Sequence, residues 1–491
     1  MNNMIDIKIS SFSYANSKAA SLSDVSLRIH KGETVLLCGE SGCGKTTITR
    51  LINGLIPHYY EGNLSGSVHV GELDVTGAEL YETARVVGNV FQNPRSQFFC
   101  VDTTSEIAFG CENLGLPEDE IRRRIVMAAE EMNVTPLLGR SLFKISGGEK
   151  QRIACTSVSA MQPKVLLLDE PTSNLDMTAI ENLRDVLLKW KKQGKTIIIA
   201  EHRLHWLTDI CDRVVYIQEG KIAMDCPMQD FTGMDTQRLA EMGLRPLDIN
   251  HLELKSKASK NHVEKLCLSD FSFRYKGEKC PALDINNLEL PKDEIVAVIG
   301  YNGTGKSTFA HCLCGLENRC RGLLKEAEKE TKTSQRLKCC YMVMQDVNHQ
   351  LFSETVLDEV LLSMHESDET LAENILDSLG LLSLKDLHPM SLSGGQKQRV
   401  AVASAIASER DIIVFDEPTS GLDLRHMKEV SRNLQQLCAQ GKSLFIITHD
   451  LELILECCTH VLHLDGGKVV GNYPLDSKGN KRLKNFFCKP N

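Results

Sequence analysis

One eight-residue pattern occurs twice in this chain and constrains its fold more than any other feature. Gly39-Glu-Ser-Gly-Cys-Gly-Lys45-Thr46 and Gly300-Tyr-Asn-Gly-Thr-Gly-Lys306-Ser307 both satisfy G-x-x-x-x-G-K-[ST]. In that pattern backbone N–H groups cradle phosphates, the lysine reaches the β- and γ-phosphates, and the hydroxyl binds Mg²⁺. Each copy follows a short apolar run, Thr34–Cys38 or Ile295–Ile299, and precedes a helix-like segment. The chain must therefore build a strand–loop–helix unit twice and handle two nucleoside triphosphates. The candidate nucleotide contacts are Gly39, Glu40, Ser41, Gly42, Cys43, Gly44, Lys45, Thr46 and Thr47, then Gly300, Tyr301, Asn302, Gly303, Thr304, Gly305, Lys306, Ser307 and Thr308.

The duplication extends well beyond the loops. Phe12-Ser-Tyr14 returns as Phe273-Arg-Tyr275, and Gly39 as Gly300, both 261 residues later. Gln92 returns as Gln345 after 253 residues; Ser146, Asp169 and His202 return as Ser393, Asp416 and His449 after 247. The second copy is thus shorter by 14 residues, lost between the glycine loop and the Ser-Gly-Gly segment. A chain of 491 residues exceeds one hydrophobic core. The expected organisation is one domain over 1–226, a helical appendage and linker over 227–264, and a second domain over 265–491. Lys255, Lys257 and Lys260 lie in that linker and read as a solvated tether. Roughly 30 extended residues span at most about 100 Å, enough for one domain to turn and face the other.

Each copy also carries an apolar strand ending in two acids, Val165-Leu-Leu-Leu-Asp169-Glu170 and Ile412-Ile-Val-Phe-Asp416-Glu417. Such runs suit buried parallel strands, whose carboxyl ends are where open α/β sheets place ligands. The first acid, Asp169 or Asp416, is expected to help hold Mg²⁺. The second, Glu170 or Glu417, is placed to polarise water attacking the γ-phosphate. A bound cation removes the objection to burying paired carboxylates. Upstream lie Ser146-Gly-Gly-Glu-Lys-Gln-Arg152 and Ser393-Gly-Gly-Gln-Lys-Gln-Arg399. The Ser-x-x-Glu/Gln spacing is a capping box, and the helix start it marks offers unpaired N–H groups to an anion.

This ordered set resembles the ATP-binding-cassette (ABC) ATPases over nearly the whole of both copies. The fold the resemblance implies is α/β: two tandem P-loop NTPase domains, each a mainly parallel core sheet flanked by helices, with an N-terminal antiparallel β subdomain and a helical subdomain. It implies an intramolecular pairing of the two ATPase domains, with ATP between them. Lys45 and Thr46 would face Ser393, Gly394 and Gly395; Lys306 and Ser307 would face Ser146, Gly147 and Gly148. It makes Tyr14 and Tyr275 candidate adenine-stacking residues, with a strand-core role as the rival reading. Gln92 and Gln345 match the glutamines that touch Mg²⁺ and the attacking water. Asp176 and Asp423 match the loop that links the sites, and His202 and His449 the γ-phosphate histidine. The metal set is then Thr46, Ser307, Gln92, Gln345, Asp169 and Asp416, with ATP and Mg²⁺ as cofactors. Both copies keep every element, so both sites are expected to hydrolyse ATP.

The segments after the two glutamines narrow the resemblance. Gln92-Asn-Pro-Arg-Ser-Gln97-Phe98-Phe99 parallels Gln345-Asp-Val-Asn-His-Gln350-Leu351-Phe352, and both are similar to the ATPases of energy-coupling factor (ECF) transporters, which import vitamins and metals. Ala200-Glu-His-Arg-Leu-His-Trp206 is similar to the fused members of that group. The partners implied are a transmembrane scaffold subunit and a substrate-binding membrane subunit, with the chain peripheral at the cytoplasmic face of the cell membrane. Phe98, Phe99, Leu351 and Phe352 either meet a partner helix or belong to the core. The alternatives are a tandem ATPase of a sugar importer and a ribosome-associated ABC-F protein. The first usually departs from Gln-Lys-Gln-Arg in its second copy; the second has a longer, strongly basic linker.

Composition agrees with this reading. A net charge of −9 supplies no basic field for nucleic acid. No apolar run approaches the 18 or more residues of a membrane span, and the start Met-Asn-Asn-Met-Ile-Asp shows no secretory signal. The 18 cysteines include no C-x-x-C and read as reduced core and surface thiols. Cys312 with Cys314, or Cys339 with Cys340, is the weaker metal-ligand alternative.

Overall fold

The computed structural model describes residues 3–15, 19–91, 96–173, 175–255, 264–326 and 329–487. The chain forms two compact units, the first Met1–Asp248 with Asp423–Arg425 and the second Ile249–Leu422 with His426–Asn491. The strands of the first are β1 (Asn3–Tyr14), β2 (Leu22–His30), β3 (Thr34–Cys38), β4 (Gly62–Val70), β5 (Leu73–Asp74), β6 (Val87–Val90), β7 (Val165–Asp169), β8 (Thr196–Ala200), β9 (Arg213–Gln218) and β10 (Lys221–Pro227). One sheet is antiparallel in the order β2-β1-β4-β5; the other runs β10-β9-β3-β8-β7-β6. In the latter every pair is parallel except β9 with β10.

The apolar runs become central strands because both of their faces are covered. Leu36 and Cys38 of β3, Leu166 and Leu168 of β7, and Ile197 and Ile199 of β8 join one core cluster with the helices. The intervening Val35, Leu37, Val165, Leu167, Ile198 and Ala200 join a second cluster with the antiparallel sheet. Side chains alternate across a strand, so a run with no polar residue fills two layers at once. The helical part of the unit comprises Thr103–Asn113, Glu118–Glu131 and Gly147–Met161. Two short helices, Met228–Thr232 and Thr236–Glu241, follow β10.

The second unit repeats the plan. Its strands are β11 (Lys265–Phe273), β12 (Leu283–Pro291), β13 (Ile295–Ile299), β14 (Arg321–Glu326), β15 (Lys329–Thr331), β16 (Cys340–Val343), β17 (Ile412–Asp416), β18 (Ser443–Ile447), β19 (His460–Asp465) and β20 (Lys468–Pro474). The antiparallel sheet is ordered β12-β11-β14-β15 and the mixed sheet β16-β17-β18-β13-β19-β20. Its helical part comprises Val356–Ser363, Glu369–Ser378 and Gly394–Ala407. Each unit is therefore the expected mainly parallel sheet with an antiparallel β subdomain and a helical subdomain. Among the described residues no helix is long and apolar enough to cross a membrane.

Candidate functional site

Strand order brings the chemistry together. β3 lies beside β8, and β8 beside β7, so Leu37 and Asp169 both stand level with Ala200. The carboxyl ends of these three strands lead directly into the glycine loop, the Glu201-His202 pair and Glu170. The second unit matches: Val298 of β13 and Asp416 of β17 are both level with Ile447 of β18.

The loops require glycine where they leave the strand. Gly39 has φ +146°, and a Cβ there would lie 2.3 Å from the carbonyl oxygen of Ile217; Gly300 has φ +152° and the same 2.3 Å clash, with Leu464. The lysines close the loops from inside. Lys45 Nζ donates to the Gly39 and Glu40 carbonyls, both at 2.9 Å, and Lys306 Nζ to those of Gly300 and Tyr301 at 2.8 and 2.9 Å. The helices Lys45–Ile52 and Lys306–Leu313 begin there without a side-chain cap, leaving N–H groups and a positive dipole end for an anion. This cradle fits a triphosphate.

The acidic residues fit a divalent cation. Burial raises both Asp169 and Asp416, with the neighbouring Thr46 and Ser307 hydroxyls pulling against it. Asp169 Oδ1 is buried without a hydrogen-bond partner, which an oxygen-seeking ion would supply. Burial, then the neighbouring Glu170, pushes Asp169 up to about 6.

Glu170 and Glu417 leave their strands at φ +44° and +50°, a left-handed conformation that costs a non-glycine residue energy and recurs at working sites. Each is pinned by its own N–H, to Ala200 O at 2.8 Å or Ile447 O at 2.9 Å. Each meets the histidine: His202 Nε2 lies 3.3 Å from Glu170 Oε1, and His449 Nε2 lies 3.7 Å from Glu417 Oε1. Burial raises Glu170 to about 7, opposed by Lys45, and burial holds His202 well below its ordinary value.

A stability effect follows from Glu170. Its folded value lies above the roughly 4.3 of an unfolded glutamate, so folding is penalised increasingly from about pH 4 to pH 7 and fully above. Glu170→Gln removes that penalty. Without nucleotide the variant should melt about 2 °C or more above wild type at pH 8, with the gap closing at pH 5; calorimetry at the two pH values checks this, and equal gaps would refute it.

Two buried acids that residue type alone does not single out flank the histidines. Glu201 accepts from the Thr172 hydroxyl at 2.6 Å and from the backbone N–H of His202 at 2.7 Å. In the second unit Asp450, after rather than before the histidine, accepts from Thr419 at 2.8 Å. The available signal was an acid flanking each histidine within a buried strand end, in opposite order.

The aromatic and Ser-Gly-Gly residues also fall in matching places. The Tyr14 hydroxyl lies 3.2 Å from Thr47 Oγ1, and that of Tyr275 lies 3.1 Å from Thr308 Oγ1. Each ring packs edge-on against the phenylalanine two residues earlier, Phe12 or Phe273. Ser146 and Ser393 cap the helices Gly147–Met161 and Gly394–Ala407 with full capping boxes to Glu149 and Gln396. A Cβ at Gly147 or Gly394 would meet nothing within 4 Å, so these helix starts are open. Asp176 caps the helix Met177–Lys192 through Ala179 N at 2.8 Å, and Asp423 is buried just before the helix Leu424–Ala439. Gln345 is exposed beyond β16; Gln92 lies outside the described residues.

The segments after the glutamines divide within each pair. Phe98 packs on the core and Leu351 is buried, whereas Phe99 and Phe352 are 74% and 73% exposed. The Phe99 ring stacks on Phe109 with centroids 4.9 Å apart; Val101 and Phe143 are exposed too, and Leu142 N donates to Val101 O. In the second unit Leu387 and Met390 are exposed as well, and Val356 N donates to Leu387 O.

Comparison with known proteins adds four findings. The ABC transporter family pattern matches residues 22–173 and 283–420. A Treponema denticola protein, named as a candidate ABC transporter ATP-binding protein, is 43% identical over 95% of this chain and 96% of its own. A Bacillus subtilis protein, named as a candidate HMP/thiamine import ATP-binding protein, is 32% identical over 94% of this chain and 90% of its own. Among solved structures, a chain of the model of ribosome-bound archaeal Pelota and ABCE1 has a TM-score of 0.69 and 19% identity, covering 97% of this chain and 80% of that one. That last likeness concerns the fold.

Proposed function

Because this chain belongs to the ABC transporter family and is an ATP-hydrolysing enzyme, we propose that it powers import of a small solute, a vitamin or a metal ion, through separate membrane subunits of the ECF kind. The observation that carries this reading is the duplicated, exposed phenylalanine, Phe99 and Phe352, seven residues after each candidate site glutamine. Monomeric proteins seldom present an aromatic flanked by further exposed apolar side chains unless it meets a partner. The name of the Bacillus subtilis relative, an import ATP-binding protein, supports the same direction. The chain would work at the cytoplasmic face of the membrane, on a scaffold subunit and a substrate-binding subunit.

At each site Lys45 or Lys306 would take the β- and γ-phosphates, and Tyr14 or Tyr275 would stack adenine. Thr46, Asp169 and Gln92, or Ser307, Asp416 and Gln345, would hold Mg²⁺. When bound, that ion would supply charge neutralisation for phosphoryl transfer. Glu170 or Glu417 orients the attacking water and draws on its proton, while His202 or His449 steadies the glutamate. The N–H groups opened by Ser146-Gly147-Gly148 and Ser393-Gly394-Gly395 are suited to a γ-phosphate. In this reading ATP draws the two domains together and hydrolysis releases them, which moves the membrane subunits.

The test is purification of the tagged chain from detergent-solubilised membranes, with identification of the co-purifying proteins. Integral membrane subunits are expected, and Phe99→Ala with Phe352→Ala should lower their recovery about tenfold or more. Sedimentation with ribosomes in high salt, without membrane proteins, would reject transport in favour of a role in translation.

A further inference from the structure

Two buried glutamates outside the ATP site make the same unusual bonds in both units. Glu106 Oε2 accepts from the backbone N–H groups of Phe99 at 2.9 Å and Cys100 at 2.8 Å. Glu359 Oε2 accepts from those of Phe352 and Ser353, both at 2.9 Å. Each carboxylate sits seven residues after an exposed phenylalanine, and the two glutamates are only 2% and 4% exposed. Each stands in the first turns of a capped helix, Thr103–Asn113 under Asp102 or Val356–Ser363 under Thr355, where the helix dipole favours a negative charge. One oxygen receiving two successive N–H groups makes a charge-assisted brace, about twice as strong as a neutral one.

The same residues connect to a second functional part. The Glu106 carbonyl accepts from Ser157 Oγ at 3.0 Å, and the Glu359 carbonyl from Ser404 Oγ at 3.4 Å. Ser157 and Ser404 lie on the helices that begin at Ser146-Gly147-Gly148 and Ser393-Gly394-Gly395. The loop carrying the exposed aromatic is therefore fastened, through one residue, to the helix whose N-terminus is suited to the γ-phosphate.

We propose that Glu106 and Glu359 are positioning residues for membrane-subunit docking: each carboxylate holds the phenylalanine loop in its projecting shape and ties it to the Ser-Gly-Gly helix. This rests on the docking role assigned to Phe99 and Phe352. Gln keeps the length and an acceptor oxygen but not the charge; Ala removes the brace and leaves two N–H groups without it.

Two readouts on the full chain test the proposal. The first is hydrogen–deuterium exchange at the amides of residues 99, 100, 352 and 353. Exchange should accelerate about tenfold in Glu106→Gln with Glu359→Gln and further in the Ala pair, while the amides of β3 and β13 keep their rates. The second is ATP hydrolysis titrated with the membrane subunits that co-purify with the wild-type chain. The concentration for half-maximal stimulation should rise about tenfold, with the rate at saturation retained. Unaltered exchange at the four amides would overturn the proposal, as would faster exchange with no change in half-maximal concentration. Faster exchange throughout β3 and β13 would also overturn it, because the glutamates would then be merely structural. Phe99→Ala with Phe352→Ala, run alongside, separates the two readings. If it too leaves the titration unchanged, the docking role itself fails; if it alone weakens docking, only the brace fails.

Discussion

Replacing Lys45 and Lys306 together with alanine should lower ATP turnover about a thousandfold or more. Each ammonium is nearly buried and spans two carbonyls of its own loop. It is therefore both the brace that shapes the cradle and the cation available to the γ-phosphate. Phosphoryl transfer depends on positioning and charge neutralisation more than on covalent chemistry, so removing one well-placed donor is worth about 10²–10³ in rate. Alanine also removes the lysine donor from the carbonyls of Gly39, Glu40, Gly300 and Tyr301, so the loop loses a brace along with the charge. Phosphate release by the purified chain measures turnover, and circular dichroism checks that the fold persists. Residual turnover above a tenth of wild type would show that these loops are not the phosphate sites.

Glu170→Gln with Glu417→Gln should lower turnover by about 10²–10³ while leaving ATP binding nearly intact. Glutamine keeps the shape of the side chain and the backbone bonds to Ala200 and Ile447, but it cannot accept a proton from water. The two single variants should agree within about threefold, because both glutamates share the left-handed backbone, the neighbouring histidine and the buried strand end. Equilibrium binding of a fluorescent ATP analogue beside steady-state hydrolysis separates this outcome from the lysine result. A grossly unequal pair of single variants would show that the acid before His202 and the acid after His449 are not interchangeable supports.

The parts legible in the sequence were those encoded by periodicity or residue type. Thr34–Cys38 and Ile295–Ile299 are strands over the bounds that the apolar runs indicate, because a short run this rich in apolar residues has few alternatives to a two-sided core. The Ser-x-x-Glu/Gln spacing gave both capping boxes, since that geometry depends on side chains three residues apart. What escaped depended on backbone partners. Glu106 and Glu359 look like ordinary acids in a helix-like stretch, and nothing in their identity reveals that they accept from N–H groups six and seven residues upstream. The same limit applies to Phe98 beside Phe99 and Leu351 beside Phe352. Adjacent apolar residues in a loop carry no period, so only the fold decides which one turns inward.

The apolar surroundings of the two exposed phenylalanines are not copies of each other. Phe99 stacks on Phe109 and is followed two residues on by exposed Val101, whereas Glu354 follows Phe352 at the same spacing. Two identical subunits would be forced by symmetry to present the same surface twice. One continuous polypeptide escapes that constraint and delivers the two surfaces in a fixed one-to-one ratio, whatever the level of expression. Each surface is then free to diverge toward a different contact, so that a receptor without internal symmetry can be served by a single gene product.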